Sequence, residues 1–305
     1  MGLAHGGAGV KAADNRAWFL MIPALAVMGL VGVVPLLAAF NYAFFDIFTI
    51  QQAYWVGDEW YRQIITSDRF YASFGRSLLF SALVMSVQFS LGIALARMVS
   101  RMGPSRIFVL MLVALPLVVP WNMIAMMWQS LIHPETGIAG RAMAFAGIGF
   151  DYKFNAVHTW ILLIVMDTWH WIGLVVILAY AGFSGIPKAY YQAAAIDGAS
   201  SFSVFRHIEL PKITSALSIA ILLRFMDSFM INTEAFAMNA GGPYYATSFL
   251  SLDLSEDIKA FNYGSTAARS MLYFLIVMTV AWLFRIWVER QGRVDDGVQA
   301  VKVGG

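Results

Sequence analysis

Six apolar stretches, each long enough to cross a bilayer as a helix, divide this chain of 305 residues. A membrane-spanning helix needs about 20 consecutive residues that are mostly apolar. The stretches cover residues 18–44, 77–96, 107–128, 156–180, 215–237 and 268–287. Pro116 and Pro120 lie inside the third stretch and predict a kink in that helix. The pattern predicts an all-α integral membrane protein with six transmembrane helices.

Composition supports a membrane protein and excludes several functional classes. Only 12% of the residues are charged and 60% are hydrophobic, whereas soluble domains carry about 25% charged residues. The chain has no cysteine, so disulfides and thiolate chemistry are excluded. Its net charge of +2 indicates no nucleic-acid partner. The first apolar stretch is much longer than the core of a signal peptide, which predicts that this helix is retained.

The distribution of basic residues predicts the orientation of the chain in the membrane. With both termini in the cytoplasm, twelve of the 20 Lys and Arg residues lie in the inner segments or at inner helix ends, and seven lie outside. Cytoplasmic loops carry the excess of basic residues in membrane proteins. We therefore expect a cytoplasmic N-terminal segment (residues 1–17), a six-helix domain (residues 18–290) and a flexible cytoplasmic tail (residues 291–305).

The inner loop at residues 186–211 has the sequence pattern of two short helices joined by a turn. Residues 190–196 are mostly good helix formers, and Asp197-Gly198 predicts the end of that helix because glycine readily adopts a left-handed conformation. Ser200 or Ser201 can cap a second short helix, and Pro211 predicts the start of the fifth transmembrane helix. An amphipathic connector lying on the membrane surface is the alternative interpretation.

This loop resembles the E-A-A-x-x-D-G-A signature of permeases from binding-protein-dependent ABC importers, with its downstream F-x-x-I-x-L-P. The matching positions are Ala193, Ala194, Asp197, Gly198, Ala199, Phe205, Ile208, Leu210 and Pro211. Gln192 stands where the family usually has Glu. The resemblance implies a type I ABC importer permease fold, in which this coupling loop (residues 186–211) docks into an ATPase subunit.

Further segments resemble the carbohydrate-uptake branch of that family, which includes polyol and glycerol importers. Gly241-Gly242-Pro243 and Tyr263-Gly264 are two of them. The resemblance implies a second homologous permease subunit, two ATPase subunits that bind ATP and Mg²⁺, and a soluble or lipid-anchored substrate-binding protein. It also implies a bacterial cytoplasmic (inner) membrane location, a sugar or polyol substrate, and neither cofactor nor enzymatic activity in this chain.

Polar residues inside the fourth and fifth apolar stretches are candidates for the substrate path. Each charge at a helix centre costs about 2.5–3.5 kcal/mol, so charged residues inside a membrane usually face a cavity or a partner. Spacings of three, four and seven residues place them on one helical face in each stretch. These faces contain Asp167, His170 and Trp171 in the fourth stretch, and Arg224, Asp227, Ser228 and Ile231 in the fifth. The resemblance places substrate contacts on the same faces.

Asn232 from the fifth stretch, together with Trp121 and Asn122 from the third, completes the candidate path. Carboxylates, Arg and Trp suit a polyhydroxylated solute, since they bind hydroxyl groups and pack on C–H surfaces. A structural alternative is open: Arg224 can pair with Asp167 or Asp227 and hold two helices together.

Two other functional classes compete with the importer hypothesis. A proton-coupled secondary transporter would use Asp167, Asp227 and Glu234 as proton carriers, but such transporters often contain two repeated halves and none is visible here. A membrane enzyme would use His170 and nearby acids, but no catalytic motif accompanies them. The sequence also contains no Gly-Lys pair, and therefore no phosphate-binding loop of the P-loop type.

Overall fold

A computed structural model describes residues 17–49 and 52–303 and is dominated by long apolar helices. The predicted N-terminal segment, residues 1–17, lies almost wholly outside the described residues. The first span consists of α1 (Ala17–Met28), a π-helical turn (Gly29–Val33) and α2 (Val34–Tyr42). The other long helices are α4 (Asp68–Ser100), α8 (Ala156–Ser184), α11 (Leu210–Phe229) and α14 (Tyr263–Val303).

The third predicted span is not one kinked helix, which corrects that prediction. It consists of α5 (Arg106–Ala114), a 3₁₀ turn (Leu115–Val118) and α6 (Trp121–Ile132), and the two arms meet at 103°. Val119 is extended because the ring of Pro120 disfavours helical geometry in the residue before it, and Pro120 itself is extended too. Within the described residues, five helices are long and apolar enough to cross a membrane, or six if the bent pair forms one span.

Several short elements lie at the end of the bundle opposite the coupling loop. We call this end the hairpin end. β1 (Phe45–Thr49) and β2 (Gln52–Trp55) form an antiparallel hairpin in which Phe45 lies opposite Trp55. The short helices at this end are α3 (Glu59–Ile65), α7 (Ile138–Phe145), α12 (Thr233–Asn239) and α13 (Leu250–Lys259). The hairpin apart, the helical membrane fold predicted from the sequence is confirmed.

Two predicted helix boundaries differ from the structure. α4 begins at Asp68, nine residues before its apolar stretch, because Arg69 and Arg76 form polar contacts with α13 and with the segment before it. Hydropathy does not detect such a charged helical extension. α14 likewise continues to Val303, so the predicted boundary at residue 290 falls inside a helix and residues 291–303 are helical.

The core of the bundle is formed by α4, α8 and α11, which approach closely at small residues. A Cβ atom at Gly92 of α4 would lie 2.6 Å from Val175 of α8, and one at Gly182 of α8 would lie 3.0 Å from Ile213 of α11. Small residues allow membrane helices to pack backbone against backbone. By contrast, the most apolar window of the first span, Met21–Tyr42, contains no buried residue.

Replacing Gly173 should test the close contact between α5 and α8. A Cβ atom there would lie 2.4 Å from the carbonyl oxygen of Val113, so Gly173→Ala must separate the helices at a cost of about 1–3 kcal/mol. We expect a lower thermal unfolding midpoint in detergent. Gly75→Ala is the control, because nothing lies within 4 Å of its Cβ position. Equal midpoints for the two variants would contradict the packing.

Candidate functional site

A polar cluster lies buried between the three core helices. Arg224 of α11 donates through Nη2 to Asp167 Oδ2 of α8 at 2.5 Å. Its Nε donates to Gln88 Oε1 of α4 at 2.9 Å. Gln88 in turn donates through Nε2 to Asp167 Oδ2 at 2.7 Å and to the Asp167 carbonyl oxygen at 3.0 Å. One polar side chain from each helix therefore contacts the other two.

Arg224 has a second carboxylate partner and an aromatic neighbour. Its Nη1 donates to Asp227 Oδ2, three residues further along α11. Its guanidinium lies 4.6 Å from the centre of the Trp171 ring. Each of its three nitrogen atoms therefore donates to a side-chain oxygen, and both ion pairs of the structural alternative are formed. A buried charge requires such partners, because an unpaired ion in a low-dielectric interior is strongly unfavourable.

Burial divides the predicted path residues into two groups. The buried members contact neighbouring helices and offer no surface to a solute; they are Asp167, His170, Arg224, Ser228 and Ile231. The remaining cluster members reach the surface: the Asp227 side chain is 31% exposed and Trp171 is half-buried. Trp121 and Asn122 on α6 are exposed, and the rings of Trp121 and Trp171 are 6.4 Å apart.

The residues around the break between α11 and α12 are bound to the hairpin end. Asn232 donates to the Ser251 carbonyl oxygen at 3.0 Å and to Ser255 Oγ at 2.7 Å, both on α13. The Asn232 amide thus holds the break between α11 and α12 against α13. Glu234 lies in the first turn of α12, where the helix dipole favours a negative charge. Neither residue contacts the buried cluster by hydrogen bond.

Sequence reasoning missed Gln88, which completes the cluster. The signal was present: within the apolar stretch at residues 77–96, Gln88 is the only side chain with an amide or a charge. A lone amide in a hydrocarbon environment needs a partner on another helix. Among the described residues, no group of His, Asp and Glu is suited to hold a metal ion.

The coupling loop forms a helix-turn-helix, as the sequence predicted. α9 (Lys188–Ile196) is capped by Asp197 and followed by Gly198, whose φ of +65° is the left-handed conformation expected there. Ser200 caps α10 (Ser201–Val204) by accepting a hydrogen bond from the Ser203 N–H at 3.2 Å. A π-helical turn (Phe205–Glu209) then leads into α11.

Pro211 lies in the first turn of α11, as the sequence predicted, but the helical backbone already begins before it. The helical backbone continues from Ser201 through the π turn and through Pro211 to Phe229. Proline is tolerated in the first turn of a helix, and Pro211 occupies that position in α11, directly after the π turn. The second helix of the coupling loop and α11 are therefore one continuous rod.

The base of the coupling loop is fixed to α4 and its tip is exposed. Arg97 Nε donates to Glu209 Oε2 at 2.6 Å and Nη2 donates to the Ser201 carbonyl oxygen at 2.8 Å. At the tip, Ile196 is 87% exposed and Phe202 is 71% exposed. The signature residues of the tip are exposed too, namely Gln192, Ala193, Asp197, Gly198 and Ala199, whereas Ala194 is buried and Phe205 is half-buried.

Tyr191 closes the base of the coupling loop from the α9 side. Burial raises the pKa of the Tyr191 phenol, and the negative charge of Glu209 raises it further. The phenol therefore stays protonated and uncharged at physiological pH. It packs with the apolar residues at the loop end of α8 and α11.

Replacing Arg224 should test whether the cluster holds the helices together. Arg224→Met leaves Asp167 buried without its cation, so we expect a loss of about 3–5 kcal/mol of stability and a lower unfolding midpoint in detergent. The double variant Asp167→Leu/Arg224→Met removes both charges and should recover most of that loss. A stable single variant would contradict the structural role of the pair.

Comparisons with known proteins agree with this architecture. The family model of the binding-protein-dependent transport system inner membrane component matches residues 88–293, more than half of the chain. The trehalose/maltose transport system permease protein MalF of Thermococcus litoralis is 26% identical over 88% of this chain and 92% of that protein. The sn-glycerol-3-phosphate transport system permease protein UgpA of Yersinia pseudotuberculosis is 28% identical over 90% and 95%.

A solved structure shares the fold. It is a crystal structure of a bacterial ABC transporter involved in the import of the acidic polysaccharide alginate, and the matched chain is 18% identical with a TM-score of 0.77. The match covers 90% of this chain and 96% of that one. With the apolar spans and the family match over residues 88–293, the chain belongs to the family of binding-protein-dependent transport system inner membrane components, as a multi-pass translocation subunit.

Proposed function

We propose that this chain is one permease subunit of an ATP-driven importer for a sugar or a polyol-type solute, including glycerol phosphates. The observation that carries the proposal is the coupling loop, which presents an exposed helix-turn-helix on a base fixed to two core helices. Basic residues predict that this end of the bundle faces the cytoplasm. An ATPase subunit there would supply ATP hydrolysis, and it would hold the ATP and Mg²⁺.

The tip of the coupling loop has the chemistry of a docking surface. Ile196 and Phe202 are large apolar side chains left in the open, and Gly198 and Ala199 between them are small enough for close approach. Exposed apolar patches on a polar rim mark protein–protein contacts. Gln192 lies on the exposed side of α9 and can offer the partner a neutral hydrogen bond, which is weaker than the ion pair of a Glu.

The substrate class is inferred from relatives and from the exposed path residues. MalF and UgpA are named for the transport of trehalose or maltose and of sn-glycerol 3-phosphate. In this chain Trp121 and Trp171 form an aromatic pair, Asn122 follows Trp121 in α6, and Arg224 contacts both Trp171 and Asp227. Indole faces pack against the C–H surfaces of sugars, and carboxylate and amide groups bind hydroxyls. This surface would face the pore.

The proposed complex contains further subunits. A second homologous permease would complete the pore, since Trp121 and Asn122 of this chain are exposed. The first span, with no buried residue in its apolar window, offers its surface to lipid or to that second subunit. A soluble or lipid-anchored binding protein would deliver substrate at the hairpin end.

The proton-coupled alternative has less support in the structure. Two of its three proposed carriers, Asp167 and Asp227, are both bound to Arg224, so neither is a free carboxylate. Only Glu234 is left, and it lies at the start of a short helix near the hairpin end. Membership of a family defined by binding-protein-dependent transport also favours the importer.

Reconstitution tests the proposed function directly. The chain would be co-expressed with the permease and ATPase genes beside it, and the complex placed in liposomes with the neighbouring binding protein. We expect ATP hydrolysis that rises with one member of a panel of maltose, trehalose, glycerol and sn-glycerol 3-phosphate, and uptake that needs ATP. Uptake driven by a proton gradient without ATP would refute the proposal.

Replacing Gly198 should uncouple transport from ATP hydrolysis. Gly198→Gln adds a side chain at a left-handed position, which costs about 1–3 kcal/mol of backbone strain and enlarges the docking tip. We expect an intact complex with strongly reduced uptake per ATP hydrolysed. Gly147→Gln is the matched control, since Gly147 is also exposed, has a φ of +72° and has nothing within 4 Å, but lies at the hairpin end. Similar uptake in both variants would count against docking.

Replacing Trp121 tests the path. Trp121→Ala removes the aromatic partner of Trp171, so we expect uptake at saturating binding protein to fall by about two- to twelvefold, since such contacts contribute about 0.5–1.5 kcal/mol. Trp282→Ala, an exposed tryptophan on α14, is the control and should leave uptake unchanged. An unaffected Trp121 variant would remove this residue from the path.

A further inference from the structure

Two side-chain ties join α4 to α11 at different depths of the bundle. At the loop end, Arg97 of α4 binds Glu209, which directly precedes α11. Deeper inside, Gln88 of α4 binds Arg224 of α11. The two residues of α4 are nine positions apart, which is about 13.5 Å along an α-helix. α4 and α11 are therefore connected by side chains both at the loop end and deeper in the bundle.

Arg97 makes an unusually complete set of contacts with the coupling loop. Besides its bond to Glu209, it donates through Nη2 to the carbonyl oxygen and the hydroxyl of Ser201, at 2.8 and 3.2 Å. Its guanidinium also lies 5.0 Å from the centre of the Phe205 ring. One side chain thus contacts the beginning, the middle and the end of the segment between the turn and α11.

The Arg97–Glu209 pair is sheltered, which gives it more weight than a surface ion pair. The side chain of Glu209 is 4% exposed and that of Arg97 is 23% exposed. Exposed pairs contribute little because water screens them, whereas removal of one partner from a buried pair is strongly destabilising. Arg97 is therefore the nearer of two cations that neutralise Glu209, at 2.6 Å against 3.8 Å for Arg101.

Backbone continuity shows why α4 needs such a tie. α11 is covalently continuous with the coupling loop from Ser201, so any displacement of the loop moves α11 directly. α4 has no such connection, because α5 to α10 separate it from α11 along the chain. It can follow the loop only through contacts with other helices, namely its close packing on α8 at Gly92 and its side-chain bonds to Glu209 and Arg224. α4 nonetheless holds Gln88, which positions Arg224 and Asp167 in the buried cluster.

We infer that Arg97 is a positioning residue that makes α4 move together with the coupling loop, so that ATPase-driven motion reaches the buried cluster through α4 and α11 as one unit. The inference rests on the proposed function. Neither the family match nor the relatives assign a role to this residue. Without Arg97, α11 would move with the loop and α4 would not follow it. The Gln88–Arg224 hydrogen bond between the two helices would then be strained.

The chain provides a matched control for Arg97. Arg101 lies one helical turn further along α4, and its Nη2 is 3.8 Å from Glu209 Oε1. It is 57% exposed and makes only this long contact with the coupling loop among the ion pairs and hydrogen bonds of the described residues. Arg101→Gln removes the same charge from the same helix and should leave coupling unchanged.

The test compares Arg97→Gln, Arg97→Lys, the charge swap Arg97→Glu/Glu209→Arg and Arg101→Gln in the complete reconstituted complex. ATP hydrolysis is measured with the binding protein and the panel sugar that stimulates the unmodified complex. We expect Arg97→Gln to keep its ATPase subunits and basal hydrolysis but to lose stimulation and uptake by at least about threefold. Arg97→Lys keeps the charge and the charge swap restores the ion pair, but neither spans all three contacts, so each should recover only part of both.

A distance measurement separates movement from mere stability. Because the chain has no cysteine, Leu95→Cys on α4 and Ala195→Cys on α9 would carry two unique spin labels in this subunit. Distances are recorded by pulsed EPR without nucleotide and with Mg²⁺-ATP and vanadate. We expect one unchanged distance in the unmodified and Arg101→Gln complexes, and a nucleotide-dependent change of several ångströms in Arg97→Gln.

The outcomes separate the inference from the proposed function. If the unmodified complex shows no ATP-dependent uptake, the proposed function fails. If it transports but Arg97→Gln matches Arg101→Gln in stimulation and label distances, the inference is wrong. If Arg97→Gln fails to assemble, the charge swap is the deciding variant. Recovered stimulation with an unchanged label distance supports the role of Arg97 in joining α4 to the coupling loop. A charge-swap variant that assembles but is not stimulated overturns the inference.

Discussion

A guanidinium buried between apolar helices is the constraint on which the rest of this structure depends. Arg224 contacts Asp167, Gln88 and Asp227, so its position is fixed by three elements at once. In a membrane there is no water to solvate such an ion, and each helix must approach closely enough to supply a partner. The small residues at the helix crossings allow that approach.

The coupling loop depends on the same three helices. Its second half is continuous with α11, and its base is bound to α4 through Arg97 and Glu209. Consequently the exposed tip and the buried cluster belong to one mechanical unit. The Gln88–Arg224 hydrogen bond is the deeper of its two connections between α4 and α11. A surface knob attached by a flexible linker could bind a partner, but it could not transmit a displacement to the membrane core.

Sequence patterns predicted the number and positions of the spans well, and failed where tertiary contacts override hydropathy. The charged start of α4 was missed because Arg69 and Arg76 find partners in a neighbouring segment. The third span was predicted to be kinked, but extended residues at Val119 and Pro120 break it. The turn at Gly198 was predicted correctly, since its backbone requirement is local.

The sequence by itself determined a six-stretch membrane chain, a helix-turn-helix coupling loop and the polar faces of two helices, because these follow from hydrophobicity, spacing and local backbone preference. Only the tertiary structure decided which polar residues meet. It joined Gln88 to Arg224 across 136 positions of sequence and buried Arg224 while leaving Asp227 partly exposed. Partner choice and burial depend on how helices cross, and no local pattern encodes the crossing of two helices distant in the chain.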